Sequence, residues 1–524
     1  MAHNVSLDDN RGGRISHVNW GLAVLDLAVV LGVGAALAAT FALHSVWMLQ
    51  NHDNDFDLEI TRRILAGGAY MRDFVEVNPP LIFLMYIPAV VLAAPLELDG
   101  YTAFVLYVCC FIAVSAALSW PVIRWCFRGN PLGGRLFLLA YAGVLCFEPG
   151  YDFGQREHFI VILLCPGLFW FAARDMGRPS PITPAALAVI LLAAMGLLIK
   201  PFYMLVALGM LLLRAGQNRS WRVLLDVPVY LFVAVTLVYA AVIILGFPGF
   251  LPEEMVVAQI YFAWNRAWMT VMDGSRDTVA ALSLAVVLTE LAPVPDRHQT
   301  LLRYCGVAGV TCLAMAFIQH KGWPYHYLPA REIALIMLAF VAASLLPTMY
   351  RPRTAVLLAT ITVAVSVLML RPVEEGLITY PKARFLTRPL IQSLRQIATG
   401  DKVMLLTSGF QEGFPSLAEV KVGGRAPGQL LLPGTVKLLA AAHTPAQQAR
   451  AEAFRHLTIA QAVEDLGHYQ PKFVAVDRNK TKQALPDDYD ILKFYESDEA
   501  FQHAWANYQL AKRIPGWDLY EQIK

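Results

Sequence analysis

The chain has 524 residues, 57% of them hydrophobic and 16% charged, with a net charge of +2. Soluble domains carry about 25% charged residues, so this composition excludes an ordinary soluble globule and indicates a polytopic membrane protein. The basic residues are scattered, with no basic stripe interleaved with aromatics, which argues against a nucleic-acid partner.

Residues 1–19 are polar, with Arg11 and Arg14, and read as a cytoplasmic tail. An apolar run follows from Trp20 to Leu49. It exceeds the core of a signal peptide, about 7–15 residues, and no convincing cleavage site follows, so it is expected to stay as a first span. Arginines then mark the cytoplasmic loops: Arg124, Arg128 and Arg135; Arg174 and Arg178; Arg214, Arg219 and Arg222; Arg297 and Arg303; Arg351 and Arg353. An even number of crossings must join neighbouring clusters. The apolar segments at 20–49, 79–95 and 101–123 break that rule by one. Segment 79–95 contains Pro88 and is shorter than the roughly 20 residues a hydrocarbon core needs. It is therefore expected to be an interfacial or re-entrant helix opened by Pro79 and Pro80.

The remaining apolar segments, at 136–147, 159–173, 183–199, 202–213, 223–246, 277–292, 304–319, 328–347 and 354–371, bring the expectation to about eleven membrane helices. The N-terminus would lie inside and the C-terminus outside a plasma membrane of bacterial inner-membrane type. The domain plan is thus a tail at 1–19, a mainly α membrane domain at 20–371 with its first outer loop at 50–100, and a soluble extracytoplasmic α/β domain at 372–524. In the last, DKVMLLTSGF and PKFVAVDR read as buried strands, 383–398 and 437–466 as helices, and the tail from Asp498 as a helix followed by an edge strand. No nucleophile motif or Gly-rich phosphate loop occurs there. The seven cysteines, Cys109, Cys110, Cys126, Cys146, Cys165, Cys305 and Cys312, all lie in or beside apolar segments without metal-binding spacing, and read as structural filler.

This topology puts four polar stretches on one face: NHDNDFDLEITRRILAGGAYMRDFVEVNPPL from Asn51, DFGQREH from Asp152, Lys200, and HKGWPYHYLP from His320. A loop near 247–276 adds Trp264, Arg266 and Trp268. Carboxylates, cations and aromatics around a cavity suit a reaction in which an acid takes a proton from a hydroxyl, cations hold a phosphate leaving group, and aromatics stack on sugar. DNDFD also invites a calcium-loop reading, but that loop wants Gly at its sixth position and Glu at its twelfth. Leu58 and Ile64 stand there.

LEITRRILAGGAYMRDFVEVNPPLIF resembles the first outer loop of the GT-C glycosyltransferases, in particular the bacterial aminoarabinose transferase and the dolichyl-phosphate-mannose protein mannosyltransferases. The resemblance covers residues 20–370 and implies that the catalytic Asp is Asp53, followed eight residues later by Thr61 and Arg62 and then by Gly67 and Gly68. Those families carry Asp-Glu where this chain has Asp53 and Asn54, which leaves Asp55 as a competitor. GLLIKPF resembles a family span ending in Lys, here Lys200, and HKGWPYHYLP resembles a Lys…Tyr-x-x-Pro segment, here Lys321 and Tyr327 to Pro329.

The resemblance implies an inverting glycosyltransferase with a polyprenyl-phosphate-linked sugar as donor, and a glycan, lipid or protein as acceptor. Asp53 would be the general base. Lys200, Arg156, Lys321 and Arg266 would hold the donor phosphate. Glu157 and His158 are candidates to orient the acceptor or hold a divalent cation; Glu76, Tyr325 and His326 are candidates for sugar or acceptor contact. A transporter or flippase, and a polymerase or ligase for lipid-linked glycans, remain as alternatives.

Overall fold

The computed structural model describes residues 20–178 and 182–523; the expected tail at 1–19 lies outside the described residues. The helices Ala23–Trp47, Gly100–Cys126, Arg156–Asp175, Val227–Gly246, Asp296–Gln319, Pro324–Thr348 and Pro352–Thr379 are the seven, among the described residues, long and apolar enough to cross a membrane. The other four predicted segments are also helical: Pro131–Phe147, Pro184–Leu198, Met204–Asn218 and Trp268–Leu291. Three of them have 15 to 17 residues; the fourth has 24, with charged Asp273, Arg276 and Asp277 near its start. Length and composition by themselves thus support seven crossings. Side chains such as Leu237 and Val356 stay about two-thirds exposed. An apolar surface of this kind needs hydrocarbon around it, so the chain is an integral membrane protein.

Polar contacts sort the loops to two ends of the bundle. At one end Arg214 holds Asp175 at 2.7 Å and Asp226 at 2.5 Å. His298 Nε2 lies 3.0 Å from the Cys126 carbonyl, and Arg135 pairs with Asp26 at 2.7 Å. This is the end of the arginine clusters. The opposite end gathers the loops after residue 47, around 151–156 and around 261–264 and 321–325.

Both flanks of the helix Leu81–Ala93 lie at this second end. Glu76 faces Arg156 at 3.8 Å, and a Cβ on Gly100 would sit 2.6 Å from the Arg62 guanidinium. The 13 residues of that helix span about 20 Å, short of a hydrocarbon core of about 30 Å. It starts and finishes on one side.

The C-terminal part is built on a five-stranded sheet of β1 (Lys402–Leu406), β2 (Lys421–Val422), β3 (Phe473–Asp477), β4 (Tyr508–Ile514) and β5 (Trp517–Gln522), in the order β2-β1-β3-β5-β4. β1 runs parallel to β2 and β3, while β5 is antiparallel to β3 and β4. The tail predicted as one edge strand is therefore a hairpin, turned at Pro515 and Gly516, and its second strand lies inside the sheet. Pro515-Gly516 is a turn signal that splits the run in two. The expected helix at 437–466 is likewise two, Leu432–Ala441 and Pro445–Tyr469, because Thr444 starts the second with a capping box closed by Gln447.

This sheet domain is docked on the loops at the second end of the bundle. Arg63 reaches the Gly424 carbonyl at 3.0 Å and the Tyr469 hydroxyl at 3.2 Å. Val75, Val257, Ile260, Leu431 and Phe454 form a small shared core. Helix Leu432–Ala441 approaches the Ile260 carbonyl at Gly434, where no Cβ would fit.

Candidate active site

The helix His52–Leu65 begins at Asn51, whose side-chain oxygen accepts the Asp53 backbone N–H at 2.9 Å. This helix start is tied to the turn 151–156. Asn51 donates to the Tyr151 carbonyl at 3.3 Å and to Asp152 at 3.2 Å; Asn54 donates to the Phe153 carbonyl at 2.8 Å. An ionised acid has no proton to donate to a carbonyl, so a Glu in this place could not make the contact that Asn54 makes. Gly154 allows the turn to close: its φ is +78°, and a Cβ there would sit 2.6 Å from the Phe104 ring.

The turn delivers Gln155 and Arg156 to Asp53. Gln155 Nε2 donates to Asp53 Oδ2 at 3.0 Å and to Asn51 Oδ1 at 2.9 Å. Arg156 Nη2 reaches the same Asp53 oxygen at 3.2 Å, while its Nη1 lies 3.5 Å from Asp57 and 3.8 Å from Glu76. His52 Nε2 stands 3.3 Å from Asp53 Oδ1. Burial alone would raise the Asp53 pKa; the charges of His52 and Arg156 and the Gln155 hydrogen bond overcome it and hold the carboxyl below its usual range. Asp53 is therefore ionised at neutral pH.

The other acids of the loop differ in kind. Asp57 is fully enclosed, and burial, with Glu76 and Asp53 nearby, raises its pKa against the pull of Arg156. Asp55 is raised to about 6, first by burial, with a Ser416 hydrogen bond and Arg62 opposing. It accepts from Gln50 at 3.2 Å and contacts the C-terminal domain rather than the cavity.

Asp53 lines a cavity of about 350 Å³. Its floor comes from the membrane part: Asp53, Glu76, Gln155 and Arg156, with Tyr261, Trp264, Trp323 and Tyr325 along one wall. The segment after the last long helix adds Arg371, Glu375 and Tyr380; Tyr380 stacks on Tyr151 at 3.8 Å between ring centroids. The C-terminal domain forms the roof with the loops at 408–412 and 428–430 and with Gln483. Phe410 descends from this roof to within 5.6 Å of the His52 ring.

Of the four cations expected at the donor phosphate, Arg156 alone lines the cavity. Lys200 is paired with Glu157 at 2.5 Å and sits 5.6 Å from the Tyr325 ring centre, one layer behind. Lys321 donates to the Tyr261 and Trp264 carbonyls, both at 2.6 Å. Its pKa is lowered to about 7 by burial and the nearby Lys437. Lys321 thus fixes the aromatic wall. Arg266 is half-buried at the base of that loop, where its backbone N–H bonds the His320 carbonyl at 3.3 Å.

His158 is an internal brace. Its Nδ1 accepts the Gly154 N–H at 3.1 Å, so Nε2 carries the proton toward the Leu145 carbonyl at 2.9 Å. His326 is buried against the Tyr325 ring, 4.6 Å away between centroids. Glu76 and Tyr325 line the cavity. Among the described residues no cluster of three or more His, Cys, Asp or Glu side chains is placed to hold a metal ion.

The buried Lys200–Glu157 pair makes a stability prediction. Lys200→Met leaves Glu157 charged and unpaired at 0% exposure and should cost about 3–5 kcal/mol, whereas Lys200→Met with Glu157→Gln should recover most of it. Thermal unfolding of the purified variants reads both; equal losses in single and double variants would contradict the pairing.

No known family model matches the sequence, and no curated protein does. Among solved structures, ArnT from Cupriavidus metallidurans bound to undecaprenyl phosphate is similar at a TM-score of 0.51 and 14% identity, over 94% of this chain and 97% of that one. Its apo form is similar at a TM-score of 0.50 and 12% identity, over 95% and 98%. The fold is that of a GT-C glycosyltransferase. At these identities the likeness covers nearly the whole of both chains, so the GT-C fold here includes the C-terminal sheet domain as well as the membrane bundle. Sequence reasoning had drawn the resemblance only over 20–370. It also missed Gln155 as a partner of Asp53, and the contribution of Arg371, Glu375 and the roof. The DFGQREH stretch was a signal for the first; the others lack a local motif.

Proposed function

We propose that the chain transfers a sugar from a polyprenyl-phosphate donor to an acceptor hydroxyl on the outer face of the membrane, with inversion. The observation that carries this reading is an ionised Asp53, held by Arg156 and Gln155, in a cavity between membrane helices and a docked outer domain of GT-C fold. The acceptor oxygen attacks the anomeric carbon as its proton passes to the Asp53 carboxylate. The bond from that carbon to the phosphate oxygen breaks, and polyprenyl phosphate leaves with the bonding electron pair. Arg156 stabilises the charge that collects on the phosphate. The Tyr261, Trp264, Trp323 and Tyr325 wall offers ring faces to the donor sugar. With the arginine loops on the cytoplasmic side, as basic loops prefer, a cavity at the opposite end would open outside, where nucleotide sugars are absent and a lipid-linked donor is the available one. The undecaprenyl phosphate bound to ArnT supports the same lipid class.

Mass spectrometry of lipids that copurify with the full chain tests the donor. A polyprenyl phosphate or its glycoside is expected. Bulk phospholipid alone, together with no thermal stabilisation by added undecaprenyl phosphate, would overturn the donor assignment.

A further inference from the structure

The roof of the cavity is the carboxyl end of the parallel part of the C-terminal sheet. β1 runs directly into Thr407, Ser408, Gly409 and Phe410, and β3 runs into the segment that carries Gln483. β2 and β3 flank β1 on opposite sides, so the loop leaving β1 opens where the strand order switches direction. In open α/β sheets ligands bind in the crevice outside such strand ends.

This edge is built and held rigid. Thr407 donates to Asp477 at 2.9 Å across the β1–β3 crevice. Gln429 spans the loop, donating to the Leu405 carbonyl at 3.0 Å and accepting from the Tyr495 hydroxyl at 2.9 Å. A Cβ on Gly428 would come within 2.8 Å of the Gly409 carbonyl. Inside this frame the Ser408 hydroxyl is buried, with the residue 2% exposed, and has no hydrogen-bond partner. A buried hydroxyl without a partner costs free energy, and Ser408 is among the residues that line the same cavity as Asp53.

The charges of the lining select the ligand. The roof contributes one carboxylate, Glu412, and no cation. Below it Arg371 is tied to Glu375 at 2.8 Å and Arg156 to Asp53. A phosphorylated or carboxylated acceptor would meet Glu412 on the roof, with Arg371 held by Glu375 and Arg156 taken by the donor phosphate. A neutral polyol would meet the Ser408 hydroxyl, the Gln483 amide and the faces of Phe410 and Tyr380.

We infer that the strand-end edge formed by Ser408, Phe410 and Gln483 is the acceptor subsite, and that it takes an uncharged sugar. This rests on the transferase reading above, and it assigns the outer domain the task of presenting a sugar hydroxyl to Asp53.

The test is saturation-transfer NMR on the full chain in lipid nanodiscs, with methyl hexosides, methyl hexuronides and hexose phosphates as probes. Undecaprenyl phosphate binding is measured in parallel by thermal shift. The neutral hexosides are expected to give the contacts, and Ser408→Ala and Gln483→Ala each to weaken them by up to about tenfold, with undecaprenyl phosphate binding unchanged. Gln483 is exposed, so its variant keeps the fold. Preference for the hexuronides or hexose phosphates, no sugar contact at all, or contacts indifferent to both variants would overturn the subsite while undecaprenyl phosphate still binds. Loss of lipid binding by the unaltered chain would instead overturn the transferase reading.

Discussion

Asp53→Asn is expected to lower sugar transfer by about 10²–10⁴-fold, the range removed with a general base, while leaving the fold and lipid binding in place. The substitution keeps the shape of the side chain and still offers Gln155 an acceptor at the position it now holds at 3.0 Å. Arg156 retains Asp57 and Glu76 as counter-charges, so the buried cation is not stranded. The pH profile carries the same assignment. His52 and Arg156 hold the Asp53 carboxyl below its ordinary 3.8 in spite of burial. A base works deprotonated, so the rate should stay level as pH falls from neutral, and this group should limit it only below that ordinary value. Transfer by the purified variant at the rate of the unaltered chain would exclude Asp53 as the base.

Arg156→Gln should combine two losses that are separable by measurement. The guanidinium faces three acids from a site 4% exposed, and removing one partner from a buried charge cluster costs about 3–5 kcal/mol. Thermal unfolding should drop accordingly, and the second change Asp57→Asn should restore part of it by removing an acid already pushed toward protonation. Undecaprenyl phosphate affinity should not return with it, because the cation at the cavity floor is still missing. The sign of the pH effect is also determined. Without the positive charge the Asp53 carboxylate is less favoured, its pKa rises, and the acid limb of the rate profile shifts to higher pH. Arg156→Lys should fall between, since a single ammonium cannot reproduce a fork shared among Asp53, Asp57 and Glu76. An Arg156→Gln chain with unshifted acid limb and full lipid affinity would contradict its place at both.

Much of this arrangement was legible in one dimension because hydrophobic length and arginine placement are set by the membrane, which acts on each segment independently. The parity of the arginine loops identified 79–95 as a helix that begins and finishes on one side, and the order of polar stretches placed Asp53, Arg156, Glu76 and Tyr325 at a common end. One local signal went unread: Pro515-Gly516 is a hairpin turn, where a single edge strand was expected.

What the sequence by itself determined, then, is which segments are helices, which loops share an end, and that an acidic loop meets cations there. The tertiary structure alone decided which acid and which cation do so. Asp53, Asp55 and Asp57 lie within five residues on one helix, yet one is held ionised by Arg156 and Gln155, one contacts the C-terminal domain, and one is sealed in. Lys200, Lys321 and Arg156 all read as phosphate ligands, but Glu157 neutralises the first and two backbone carbonyls hold the second. The roof of the cavity comes from residues more than 350 positions after Asp53. The reason is that ionisation and contact depend on distance and burial, which are sums over neighbours brought from remote parts of the chain, whereas helix formation and membrane partition are properties each segment carries along its own length.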